Sequence, residues 1–118
     1  MLFHGVELNI NLLNASFADQ YDAALQKLQD DVKNVNTESL AQSIRGQIAC
    51  VKSFIDTAFG AGVYASLKMD GDDLGQHLDL VEQIVMETAT QKERVRQRFD
   101  KYRPNRAARR ANPTSGAQ

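Results

Sequence analysis

The spacing of apolar residues changes period along the chain. In the first dozen residues Val6, Leu8, Ile10 and Leu12 alternate with Glu7, Asn9 and Asn11, the period of two expected of a half-buried strand. Leu2-Phe3 lie ahead of Gly5, so a small N-terminal hairpin is predicted. A lone hairpin is marginal in water. It must therefore lie as a lid on a helical core or join another sheet edge.

From Phe17 onward the period becomes helical. Phe17, Tyr21, Ala24, Leu25, Leu28, Val32 and Val35 recur at steps of three and four, which places them on one face of a helix of about twenty residues. Asn14 and Ser16 are candidate caps, and Ser16 to Asp19 has the spacing of a capping box. Asn34 to Thr37 reads as a turn, with Asn36 or Thr37 capping the next helix. That second helix carries Leu40, Ile44, Ile48, Val51, Ile55 and Phe59, widened by Phe54 and Ala58, and should stop at Gly60-Ala-Gly62. Val63 to Leu67 can form one further short turn of helix. Met69 to Asp73 is a loop, one of whose aspartates caps the third helix.

In the third helix the positions 74, 78, 81, 85, 88, 92, 95, 99 and 102 step regularly by four and three. They hold Leu, Leu, Val, Val, Thr, Lys, Val, Phe and Tyr. The stripe fades at Thr88 and Lys92 and resumes in phase, and Thr90 to Glu93 has capping-box spacing. A kink or a fresh helix start near Thr88–Thr90 is the expectation. The whole reads as mainly α: a small helical domain with a short N-terminal β-hairpin and a long, kinked C-terminal helix. After Pro104 the composition of Asn, Arg, Ala, Pro, Ser and Gly cannot bury enough apolar surface to offset ordering, and disorder is expected there.

Charge divides the chain where this pattern weakens. Residues 1–90 hold five Lys or Arg against thirteen Asp or Glu, a net of −8, and residues 91–118 hold nine against two, a net of +7. The chain therefore divides into an acidic helical domain, 1–90, and a basic C-terminal helix and tail, 91–118. An acidic body with a basic arm implies that the arm meets something negative: nucleic acid, an acidic protein, or the body of another copy. With 118 residues and 42% apolar content, there is enough for one core.

Candidate chemistry is sparse. His4 and His77 fall in different elements with no Cys or Asp at telling spacing, and His77 belongs beside the core stripe. Cys50 lies beside the stripe of the second helix and reads as a small hydrophobe. A single Cys fits a reducing compartment, so the cytosol is expected. Asp70-Gly-Asp-Asp73 resembles the start of a calcium loop, but the twelfth position is Val81 where such a loop needs Glu. Helix capping explains the aspartates better, so no metal and no cofactor is expected, nor an enzyme. No apolar run reaches the eighteen or so residues that span a bilayer, and the N-terminus lacks the basic and apolar regions of a secretory signal.

Several short stretches together carry a resemblance. They are the hairpin with Gly5, Ala18-Asp-Gln-Tyr21, and Ile44-Arg45, Cys50-Val51, Phe54-Ile55-Asp56, Phe59-Gly60 and Gly62. The basic stretch Lys101-Tyr-Arg-Pro-Asn-Arg106 completes the set. The chain resembles the small tail assembly chaperones of long-tailed phages and prophages of Gram-positive bacteria. Phe54-Ile55 stands where relatives often show paired Phe. The resemblance implies a homo-oligomeric protein of the host-cell cytoplasm, absent from the mature virion. It would bind and solubilise the tape measure protein and recruit the major tail protein. Charge complementarity between body and arm adds the expectation of open, head-to-tail self-assembly. Phe54, Phe59, Tyr64 and Leu67 are expected to line a client groove, and Arg94, Arg98, Tyr102, Arg103 and Arg106 to make arm contacts. The rival reading is a small nucleic-acid-binding regulator using the same arm.

Overall fold

A computed structural model describes residues 1–102. Strands β1 (Leu2–Phe3) and β2 (Val6–Glu7) pair antiparallel, with Phe3 opposite Val6. His4 and Gly5 form the two-residue turn, both at positive φ, 49° and 76°, as a turn matching the twist of a hairpin requires. The helices are α1 (Ala15–Lys33), α2 (Leu40–Phe59), the single turn α3 (Val63–Ser66) and α4 (Leu74–Lys101).

Side chains near each boundary fix the helix ends. The Asn14 carboxamide oxygen accepts from the Phe17 N–H at the start of α1, the Ser39 hydroxyl from the Gln42 N–H at the start of α2, and Asp73 from the Gln76 N–H at the start of α4. Each satisfies a backbone donor that the first helical turn leaves orphaned. The second cap lies beyond the expected Asn36 or Thr37, and Ser16 falls inside α1 rather than capping it. Gly60, at φ 123°, ends α2, and its N–H donates to the Asp56 carbonyl.

The core forms where α1, α2 and α4 meet. Tyr21 and Ala24 from α1, Val51, Phe54, Ile55 and Ala58 from α2, and Leu80 and Ile84 from α4 are buried together, with Leu67 behind α3. Tyr21 meets the Phe54 ring edge-on, centroids 6.0 Å apart, a favoured aromatic geometry. Phe3, Leu8 and Ile10 close the core from the N-terminal side. Hence the hairpin is a lid on this core; Met1 and Leu8 exchange backbone hydrogen bonds one pair beyond the strands, and the alternation continues further. In place of a third strand, the Gln91 amide donates to the Ile10 carbonyl at 2.7 Å and accepts from the Leu12 N–H at 3.1 Å.

Two expectations for the third helix require correction. First, α4 is uninterrupted through Thr88–Thr90; there is no fresh start. The Thr88 hydroxyl donates to the Val85 carbonyl at 2.8 Å and stands 3.4 Å from the Tyr21 hydroxyl, which donates to it. The gap in the apolar stripe is a buried polar pair with its hydrogen bonds met, not a break. Second, the fully buried face is His77, Leu80, Ile84 and Thr88; it shares only Thr88 with the stripe from Leu74 to Tyr102, of which Val81 is partly buried against the core. Leu78 and Val85 of that stripe are 44% and 42% exposed. Between residues 77 and 88 the helix is apolar on two adjoining ridges, and the body covers one fully and the other only at Val81.

Among the described residues, no helix is long and apolar enough to cross a membrane.

Candidate functional site

The four residues expected to line a groove separate by depth. Phe54 and Leu67 are core side chains, at 2% and 1% exposure, and present nothing to a partner. Phe59 is half-buried and lines a cleft of about 350 Å³ with Glu7, Asn9, Phe17, Gln20 and Val63. Its rim is polar, and the Gln20 amide there donates to the Thr57 carbonyl at 2.8 Å, joining α1 to α2.

Tyr64 is also half-buried and belongs to a hydrogen-bonded chain. The His77 Nδ1–H donates to the Asp73 carbonyl at 2.7 Å, which leaves Nε2 to accept from the Tyr64 hydroxyl at 2.6 Å. Burial pushes the Tyr64 phenol up from its ordinary value, and the nearby Asp56 carboxylate adds to the shift. This arrangement completes the hydrogen bonding of a fully buried imidazole. It ties α3 to the first turn of α4. Cys50 is buried too, and its thiol is pushed up first by burial and then by Asp31. A thiol held protonated is a weak nucleophile.

The acidic loop is taken up in local structure. Asp70 accepts from the Asp72 N–H at 2.9 Å, Asp73 caps α4, and Asp72 lies 4.0 Å from Arg45 of α2.

A different site appears where α4 leaves the body. Buried positions on α4 end at Thr88, Gln91 and Val95 are partly covered, and residues 96–102 are all exposed. The protruding turns lean toward Leu13, which follows the segment held by Gln91. Leu13, Val95, Phe99, Tyr102 and the stem of Arg98 line an apolar groove of about 190 Å³. Of the expected arm residues, Arg98 and Tyr102 line this groove, whereas Arg94 stands on the same turns without lining it. Arg103 and Arg106 lie outside the described residues.

The cations here are not equivalent. Arg96 donates to Glu93 and to Asp100 within its own helix, and the hydrogen bond from Arg96 is the main cause of a lowered Glu93 carboxyl. Among the described residues, Lys92, Arg94, Arg98 and Lys101 make no ion pair with a carboxylate. Four such cations thus stand on the turns that carry the groove, and Arg98 is in its lining.

Leu13 and Met86 lie outside every expected site, and Leu78 and Val85, expected on a buried stripe, form with the 69% exposed Met86 an exposed ridge. Leu13 breaks the alternation that ends at Leu12, and this doubled leucine was its only signal. The second ridge was visible in the apolar pairs Leu80-Val81 and Ile84-Val85, which a single stripe cannot accommodate.

Residues 4–113 match the model of a protein family described as a family of unknown function (DUF6673), and the chain belongs to that family. No curated protein and no solved structure matches it.

Proposed function

We propose that this protein is a phage tail assembly chaperone, acting by reversible binding and without bond chemistry. It would hold the tape measure protein in soluble form in the host cytoplasm and give it up to the major tail protein. One observation carries the reading: the second half of α4 stands clear of the body with an apolar groove that Arg98 lines, and Lys92, Arg94 and Lys101 are exposed on the same turns. A groove of this kind suits an amphipathic helix that presents apolar side chains with acidic flanks. A tape measure protein is a long apolar helix that would otherwise aggregate through exposed surface. The short motifs that resemble tail assembly chaperones support the same reading. The client site, however, moves from the expected Phe54 and Leu67 to the groove at Leu13, Val95, Phe99 and Tyr102.

The test is co-expression with a phage tape measure protein from the same genome. Full-length chain should keep the client in the soluble fraction, and Leu13→Glu together with Tyr102→Glu should return most of it to the pellet. A client equally soluble with and without the chain overturns the reading. Tight, salt-sensitive binding to random duplex DNA, with no effect on the client, would favour the nucleic-acid regulator instead.

A further inference from the structure

The two halves of α4 carry opposite charge along one apolar seam. Residues 74–90 contain Asp79, Glu82 and Glu87 and no Lys or Arg, and the exposed ridge of Leu78, Val85 and Met86 runs beside the acids. Residues 92–102 contain the four uncommitted cations, beside Val95 and Tyr102. The seam positions from Leu74 to Tyr102 step by four and three with Thr88 at the midpoint, so each half spans about 21 Å. Such a repeat follows one line of a left-handed helix pair, because a straight helix drifts by about 20° per heptad against it.

Turning a second copy end for end about Thr88 lays its basic half on the acidic half of the first copy. The same operation lays the acidic half of the second copy on the basic half of the first. The body covers the flank formed by His77, Leu80, Ile84 and Thr88 and reaches Val81, but leaves Leu78 and Val85 more than 40% exposed. The protruding turns of the other copy can therefore reach the ridge at Leu78 and Val85 without meeting it. A nucleic acid would satisfy the basic half and be repelled by the acidic half. A reversed copy of this same helix satisfies both.

We propose that the occupant of this face in the free protein is a second copy of the chain, with the two α4 helices antiparallel in a closed, two-fold dimer. Because each copy gives and receives the same contact, the assembly ends at two. That differs from the open head-to-tail assembly expected from the charge of body and tail alone. The pairing covers the groove assigned above to the client, but it stands or falls without the client being present.

The test is the solution mass of the full chain over a concentration series, with two charge-reversed variants. Wild type should reach twice the 13.1 kDa of one chain and no more. Asp79→Lys with Glu82→Lys, and separately Arg94→Glu with Arg98→Glu, should each weaken self-association by about tenfold or more, because like charges then face each other. All four positions are exposed, and unchanged helical circular dichroism checks that each variant folds. Mixed in equal amounts, the two variants should pair again, since the reversed charges of one then face the opposite charges of the other. A wild type that stays monomeric, a mass that climbs past two copies, or a mixture that fails to pair overturns the proposal.

Discussion

Leu78 and Leu80 stand two residues apart on α4 and face opposite fates. Leu80 is fully buried among Tyr21, Ile55 and Ile84, whereas Leu78 is 44% exposed. Truncating a buried leucine removes its transfer free energy and leaves a cavity, so Leu80→Ala should cost about 2–5 kcal/mol. Leu78→Ala should fall within about 0.5 kcal/mol of wild type, as surface changes do. Urea unfolding of the two variants, measured below the concentration at which copies associate, separates the two ridges. Equal losses would mean that Leu78 is packed after all. The sequence alone pointed to Leu78, because a strict step of four and three selects one register and Leu78, Val81 and Val85 fit it. It could not register that His77 and Thr88 are at home in a core. Both are polar, and the partners that permit their burial, Tyr64 and Tyr21, come from elsewhere in the chain.

At the scale of elements, α1 and α2 approach closely at one glycine. A Cβ placed on Gly46 would come within 2.7 Å of Cγ1 of Val35, closer than real carbon contacts allow. Val35 follows α1 and lies against α2 only because position 46 has no side chain. Glycine inside a helix is itself unfavourable by about 1 kcal/mol relative to alanine. Those opposing effects separate in a double-mutant cycle followed by thermal unfolding. Gly46→Ala alone should destabilise the chain, while the same change on a Val35→Ala background should stabilise it by up to about 1 kcal/mol. Identical effects in both backgrounds would show that the contact does not matter. The three long helices and their order were legible because each has a clear period and a polar cap. The caps themselves shifted by a few residues, since several Asn, Ser, Thr and Asp compete at each boundary. Gly46 carried no such message, as a glycine in a helical pattern reads only as a weak position until its neighbour is known.

For the molecule as a whole, the structure separates core from protrusion along α4. Core contacts along α4 end at Thr88, and Gln91 is the last residue that ties α4 to the N-terminal segment. Removing everything after Lys92 should therefore leave a folded body. Its cooperative unfolding should stay within about 1–2 kcal/mol of the full chain, because none of the described side chains lost is fully buried. Loss of the cooperative transition would mean that the arm belongs to the core. The same truncation should abolish both client capture and self-association, so fold and function separate at that residue. The groove itself was not legible in advance. It is shared between Leu13 and turns of helix some eighty positions later, and a linear pattern records neither that meeting nor which of two apolar ridges the body leaves open.

Gln91 gives this junction a mechanical character. Its one amide grips the backbone on both sides of Asn11, at Ile10 and at Leu12, and also bonds the Glu87 carboxylate one turn earlier. It works as a rivet between the lid and the lever, so the wall supplied by Leu13 is registered to the helix it faces. Whatever prises the N-terminal segment away must also unseat this amide and spread the groove, and whatever fills the groove braces the lid. Events at the two ends of the chain are thereby geared together through a single side chain.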